Sequence, residues 1–248
     1  MSESAINFDE VVEKYSKNIY NLAFRMVGNI EDAEDIVQDT FYLAYKNIDK
    51  FEAKSSIYTW IYRICTNECL RQRKKKSQKY IELFDDNFSY KESNDTTNWI
   101  NNPENIVAVK ELTEFIRHEC HQIVMERLTE SQRLVFIMRV ILEMSYSDIA
   151  EILEIDENTV KARLNRARNS LLKHFESDCN WFKTGGDSSC CKNKLGYALS
   201  LDIDILKKVD ESFREYSDNK ETQANDDKTI EYIYQKLPLL DYKHKINI

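Results

Sequence analysis

Turn-forming residues are so scarce in this chain that they restrict its fold class. Four glycines and two prolines occur among 248 residues, although an average composition would supply several times as many. A sheet-rich fold needs many tight turns, and glycine and proline are the residues that most often form them. We therefore expect an all-α protein.

Apolar residues recur at helical spacing in the first part of the chain. One amphipathic run covers residues 8 to 27 and ends at Gly28 and Asn29, a typical helix stop. A second helix is predicted from Glu31, because acidic residues in a first turn are favoured by the helix dipole. The outer face of this second helix is predicted to carry Asp32, Asp35, Gln38, Asp39 and Tyr42.

A third helix is predicted from Ser56 to about Lys76, and its two ends differ in chemistry. It starts with aromatic residues in "IYTWIYRIC" and ends with the basic run "LRQRKKK". Aromatic rings beside cationic side chains can hold separated bases through stacking and phosphate attraction, at about 1 to 3 kcal/mol per stacked base. Asn67 is the best candidate for a base-edge contact, because an amide both donates and accepts.

Residues 129 to 175 follow the pattern of a helix-turn-helix. A first helix precedes a short second one, a turn at "EID" follows, and a third helix is expected from Glu157 or Asn158. The third helix should turn four apolar residues to the core, namely Val160, Leu164, Ala167 and Leu171. Its basic side chains fall on another face, as in a recognition helix laid in a major groove. A helical hairpin with a solvated basic face is the plainer alternative.

The charge distribution also points to nucleic acid. The chain has 35 basic and 43 acidic residues, hence a net charge of −8. Residues 63 to 79 nevertheless hold seven basic residues against one acid, and residues 161 to 173 hold five with no acid. Two basic islands in an acidic chain predict two DNA contacts, with the acidic remainder facing another partner.

Both islands lie in stretches that resemble one family. "LTESQRLVF" and "SYSDIAEILEIDENTVKARLNRAR" resemble the fourth domain of sigma-70 family transcription initiation factors, and residues 32 to 76 resemble the second domain of the extracytoplasmic-function (ECF) group. Glu154 stands in the turn where the family usually has glycine. Since a left-handed Glu would cost on the order of 1 kcal/mol, we expect a slightly reshaped turn.

The resemblance implies a function and its sites. It implies an ECF sigma factor that binds core RNA polymerase and directs it to promoter DNA, and an anti-sigma factor is a further candidate partner. The implied contacts to the minus-ten element are Tyr58, Trp60, Arg63, Asn67, Arg71, Arg73 and Lys74. The implied contacts to the minus-35 element are Asn158, Thr159, Lys161, Arg163 and Arg166. The implied polymerase-binding face is Asp32, Asp35, Gln38, Asp39 and Tyr42.

The resemblance also divides the chain. The second sigma domain is expected at residues 1–80, an acidic linker at 81–106, and the fourth domain with its helix-turn-helix at 107–177. Residues 178–248 form a cysteine-containing extension that is expected to be helical.

Four of the six cysteines could form a metal site. Some relatives carry a cysteine before the fourth domain and a cluster after it, and Cys120 with Cys179, Cys190 and Cys191 fit these places. Four thiolates suit a tetrahedral structural zinc. Unligated thiols and a redox-switch disulfide are the alternatives. Cys65 and Cys69 are expected to be buried apolar residues.

Several function classes are disfavoured. The N-terminus lacks a secretory signal and no stretch is apolar enough for a membrane span, so a cytoplasmic location is expected. No enzyme is expected, because no phosphate loop or nucleophile elbow appears, and no cofactor should be required. Two alternatives remain: a helix-turn-helix regulator that binds duplex DNA without polymerase, and a metal or thiol sensor whose output is sigma activity.

Overall fold

The structure is a computed structural model, and it describes residues 7–51, 55–75, 98, 100–107, 109, 120, 124–178, 234, 242 and 246. The α-helices described from end to end are α1 (Phe8–Val27), α2 (Ile30–Lys46), α3 (Ile57–Lys75), α4 (Glu130–Phe136), α5 (Tyr146–Leu153) and α6 (Glu157–Asp178). Single turns of 3-10 helix cover Ile48–Lys50, Pro103–Asn105 and Met125–Arg127. The fold is all-α, as the sequence predicts, and the described residues contain no strand.

Helices α1, α2 and α3 pack around one apolar core. Gly28 ends α1 in the left-handed conformation, with φ 79°, and its N–H donates to the Phe24 carbonyl at 2.7 Å. Asn29 then caps α2 by accepting from the Asp32 N–H at 2.8 Å. The core side chains shared by the three helices include Ile19, Leu22, Met26, Val37, Phe41 and Ile61.

The second half of the described chain is a helix-turn-helix. Thr129 opens α4 with a capping box to Gln132. The helix continues as a π-helical turn over Ile137–Ile141, where the Leu142 N–H reaches back to the Ile137 carbonyl at 3.0 Å. Helices α5 and α6 follow, and α6 starts at Glu157 as expected. The four residues predicted to face its core, Val160, Leu164, Ala167 and Leu171, are all fully buried.

Two compact units are each formed by segments from separate parts of the chain. One consists of Met1–Lys79, Leu128–Arg168 and Leu237–Ile248, and the other of Tyr80–Arg127 and Asn169–Lys236. The first unit therefore holds α1 to α3 together with the helix-turn-helix. In it the ring of Tyr242, from the C-terminal extension, lies 5.3 Å from that of Tyr20.

Several expectations concern residues that the structure does not describe. Most of the acidic linker and nearly all of the extension lie outside the described residues. Within the described parts of the chain, no helix has the length and apolar character needed to cross a membrane.

Candidate nucleic-acid interface

Helix α3 carries the predicted aromatic residues on its first turns. Ser56 caps the helix by accepting from the Thr59 N–H at 3.0 Å. Trp60 is half-buried, with its ring 5.3 Å from that of Phe51, while its neighbour Ile61 is fully buried. Asn67 is exposed, so its amide is free to approach a base.

The ring of Tyr58 belongs to an aromatic cluster. It lies 5.6 Å from the ring of Tyr15 and 4.6 Å from that of Tyr62. Burial, together with the Asp148 carboxylate and Tyr15, raises the pKa of Tyr58 to about 12. The phenol is therefore neutral at physiological pH and can stack or donate a hydrogen bond without adding negative charge.

The basic end of α3 is partly engaged inside the protein. Arg71 donates from Nε to Glu68 at 2.6 Å and from Nη2 to Asp39 of α2 at 2.9 Å. Arg73 donates to the Met26 carbonyl at the end of α1 at 2.6 Å. Lys74 is exposed. Among the basic side chains that the structure describes at this end, Lys74 is thus the one whose charge is most open to a DNA backbone.

The start of α6 carries the second predicted set. Asp156 caps this helix: it accepts from the Thr159 N–H at 2.8 Å and from the Thr159 hydroxyl at 2.6 Å. These hydrogen bonds lower the pKa of Asp156. Lys161 pairs with Glu157 at 3.3 Å. The cap uses Thr159 and fixes the leading turn of the helix.

The remaining residues of that set differ in their access to solvent. Asn158 and Arg166 are exposed, and Arg163 is half-buried. They share α6 with the buried apolar stripe but lie on other faces of the helix. This is the division of faces that groove binding requires.

The turn before α6 contains the residue that departs from the family pattern. Glu154 has φ 54° and ψ 44°, so it adopts the left-handed conformation itself. The N–H of Ile155 donates to the Ala150 carbonyl at 3.0 Å, which completes a Schellman-type end to α5. The expectation of a reshaped turn is therefore wrong, because these hydrogen bonds hold the usual turn despite the side chain.

Arg63 and the turn are joined by the side chain of Glu154. Its carboxylate lies 3.2 Å from Nη1 of Arg63, and Nη2 of Arg63 donates to the Glu151 carbonyl at 2.8 Å. A residue predicted to contact DNA is thus held by the helix-turn-helix.

The predicted polymerase-binding face is mostly solvent-exposed. Asp35, Gln38, Asp39 and Tyr42 lie on the exposed side of α2, and Tyr42 is 54% exposed. Asp32 is an exception, at 4% exposed. Its carboxylate accepts from Asn29 at 2.5 Å and from Gln72 of α3 at 3.0 Å. Placing Asp32 on the outer face is therefore wrong, since it joins the start of α2 to α3.

Arg133 is a buried charge that sequence reasoning missed. It is fully buried, and its Nη1 donates to the Met26 carbonyl at 3.3 Å. That carbonyl is in the last turn of α1, where backbone acceptors lack helical partners and the dipole favours cations. In the sequence, Arg133 stands directly before the apolar run "LVFIM", although nothing local identifies its partner.

The cysteines fall into two groups. Cys65 and Cys69 are fully buried with their sulfurs 4.0 Å apart, as expected of apolar residues. Their mutual hydrogen bond and burial raise the pKa of Cys69. Cys120 is half-buried, whereas Cys179, Cys190 and Cys191 lie outside the described residues. Among the residues that are described, no three potential metal ligands converge.

Two family profiles match successive parts of the chain. Residues 11–79 match Sigma-70 region 2, and residues 123–171 match Sigma-70, region 4. The first match covers α1 to α3, and the second covers the helix-turn-helix.

Curated relatives match over both regions together. The ECF RNA polymerase sigma factor SigW of Bacillus subtilis is 37% identical over 171 residues, which cover 68% of this chain and 88% of the relative. The ECF RNA polymerase sigma-E factor of Escherichia coli K12 is 31% identical over 169 residues, covering 66% and 84%. Among solved structures, the sigma factor RpoE of Bartonella quintana in complex with the anti-sigma factor NepR is 24% identical, with a TM-score of 0.48 over 69% of this chain and 98% of that one.

Proposed function

The chain belongs to the ECF group of sigma-70 family RNA polymerase sigma factors, and from that membership we propose that α3 and α6 divide the promoter between them. As a sigma factor, the protein binds core RNA polymerase and directs promoter-specific initiation of transcription. The observation that carries this function is the presence of regions 2 and 4 in order along one chain. A helix-turn-helix regulator that acts without polymerase would need only the second of them.

In this proposal α3 opens the minus-ten element. Tyr58, Trp60 and Asn67 supply stacking surface and base-edge contacts, while Arg63 and the basic end of the helix supply backbone charge. The exposure of Lys74 supports a direct contact between its ammonium group and a phosphate. Arg71 and Arg73 must exchange their present partners to contact DNA, so they act after a rearrangement of side chains.

Helix α6 reads the minus-35 element. Asn158 and Arg166 are exposed in the first half of the helix and can reach base edges, with Arg163 and Lys161 beside them. Thr159 contributes through its hydrogen bonds to Asp156, which fix the direction of the helix start. The exposed residues of α2, from Asp35 to Tyr42, form the polymerase-binding face.

The test is transcription in vitro with core RNA polymerase and a library of promoter fragments. The full chain should produce discrete start sites that core polymerase alone does not produce. If a correctly folded preparation, judged by its circular dichroism spectrum, gives no such start sites, the function is wrong.

Sigma factors in general are not enzymes and need no cofactor. We propose the same for this chain: it acts through the polymerase, in the cytoplasm where promoter DNA lies.

A structural zinc is the one metal we propose, held by the thiols of Cys120, Cys179, Cys190 and Cys191. Four thiolates match the ligand preference and coordination number of zinc. Purified wild-type protein should contain about one zinc per chain by elemental analysis, and Cys179→Ser should contain less. Equal zinc content in the two proteins would remove the site.

A further inference from the structure

The face of α3 that the proposed function assigns to DNA already has an occupant within the chain. Helix α5 and the turn after it pack against α3 in the same compact unit. The hydrogen bond and the ion pair made there use Arg63, a residue that the proposed function assigns to DNA.

Arg63 makes the central contact. Both of its terminal nitrogens are engaged, one with the Glu154 carboxylate at 3.2 Å and the other with the Glu151 carbonyl at 2.8 Å. A guanidinium that binds a phosphate in the bidentate manner uses two of its three nitrogens, so it needs at least one of these two. Arg63 can therefore hold either the turn or a phosphate.

Acidic side chains also oppose the binding of DNA to this face of α3. Asp148, at the start of α5, lies close enough to Tyr58 to help raise the pKa of that phenol. The Asp148 carboxylate is fixed by the Ser145 hydroxyl, which donates to it at 2.6 Å. Together with Glu154 it places negative charge over the aromatic and basic residues of α3, where it repels a phosphate backbone.

A second set of contacts joins α4, the first helix of the helix-turn-helix, to α1 and α3. Arg133 of α4 and Arg73 of α3 both donate to the Met26 carbonyl, at 3.3 Å and 2.6 Å. Glu130 at the start of α4 lies 3.9 Å from Nε of Arg73. This second basic residue of the proposed minus-ten site is thus also held by an arrangement that includes α4.

We propose that the turn of the helix-turn-helix competes with DNA for α3, and that Glu154 is the residue that latches it there. The inference rests on the proposed role of Arg63 in the minus-ten contact. Glycine at this position would suit the left-handed backbone better, but it would lack the carboxylate that Arg63 holds. The free protein therefore keeps its two promoter-contacting helices together, and productive binding requires their separation.

The test uses two variants of the full chain that differ in one respect. Glu154→Gln removes the carboxylate that pairs with Arg63. Glu151→Gln removes an exposed carboxylate one turn earlier, whose residue contacts Arg63 only through its backbone carbonyl. Both variants lower the negative charge of the same region by one, so general attraction to DNA rises equally in both.

The measurement is the affinity of each free protein for a fluorescein-labelled single-stranded oligodeoxynucleotide, followed by fluorescence anisotropy. Glu154→Gln should bind about two- to fivefold more tightly than Glu151→Gln, the range that a partly exposed ion pair supports. Equal affinities, or no binding by Glu154→Gln, would contradict the latch. Thermal melting followed by circular dichroism must show both variants folded.

Failure of the latch can be told apart from failure of the proposed function. If the two variants bind DNA equally while wild type initiates transcription with core polymerase, the latch alone is wrong. If wild type gives no initiation, the sigma role itself is wrong.

Discussion

Two opposing free-energy contributions act at Glu154, one from its backbone conformation and one from its ion pair. Its left-handed backbone costs on the order of 1 kcal/mol relative to glycine. The ion pair with Arg63 returns less than that, because the Glu154 side chain is 70% exposed and solvent screens the attraction. The Schellman-type hydrogen bonds, which glycine would make equally well, hold the backbone in this conformation. The turn therefore keeps the form that glycine would give it, and the carboxylate is available for a separate role.

The cap formed by Asp156 makes the stability of the recognition helix α6 depend on pH. Its hydrogen bonds from Thr159 lower its pKa below the ordinary value of 3.8. A carboxyl group with a lowered pKa in the folded state stabilises the fold above its unfolded pKa, and the contribution is lost as the pH falls through the folded pKa. The effect is therefore complete at neutral pH, falls as the pH drops below about 3.8, and is lost only below the lower folded pKa.

We expect this contribution to vanish in Asp156→Asn, which keeps a capping oxygen but cannot titrate. The difference in melting temperature between wild type and the variant should be constant from neutral pH to about pH 5 and should shrink in stronger acid. Circular dichroism melting over this range measures it. A difference that does not change with pH would show that the charge of Asp156 plays no part in capping.

At the scale of elements, periodicity was sufficient to predict most helices and insufficient to predict their irregularities. The run from Leu134 to Ile141 predicts one continuous helix, and the structure has a helix that becomes a π-helical turn at Ile137. Apolar residues are dense enough in this segment to fill the core with either hydrogen-bond pattern. The choice between them depends on tertiary packing, which local spacing does not encode.

The start of α2 shows the same limit for polar residues. An acid in a first helical turn is normally solvated, so Asp32 was assigned to the outer face with Asp35 and Asp39. Gln72, 40 positions away, supplies the hydrogen bond that allows Asp32 to be buried. A partner at that separation has no local signature. The other members of the face are exposed, so their outward placement is correct.

At the scale of the whole molecule, the sequence predicts the modules but not how they pack. The aromatic-basic helix and the recognition helix are each recognisable from their own residues. The contact between Arg133 and the Met26 carbonyl joins positions 107 apart, and its acceptor is a backbone atom that every residue possesses. Long-range packing of this kind is specified by shape and hydrogen-bond geometry rather than by residue type.

The division of labour between modules makes a prediction for the assembled transcription complex. Arg166→Ala should weaken use of the minus-35 element about ten- to hundredfold, as expected for loss of one arginine contact to a base, while binding to core polymerase persists. Asp39→Ala should weaken binding to core polymerase and spare element recognition. Arg71 keeps its partner Glu68 in that variant, so α3 should remain intact.

The measurements are affinity for core polymerase and transcription from templates with and without a minus-35 element. Asp49→Ala is the matched control, because Asp49 is an exposed acid just beyond α2 and outside the predicted face. Loss of the same property in Arg166→Ala and Asp39→Ala would refute the division.

The buried thiols of Cys65 and Cys69 have a kinetic consequence. Both side chains are fully enclosed by the packing of α3, and burial with their mutual hydrogen bond keeps the Cys69 thiol protonated. A thiol-specific reagent can modify them only during moments when α3 is exposed. In a chain whose other cysteines are replaced by serine, the rate of labelling therefore measures how often the promoter-melting helix opens.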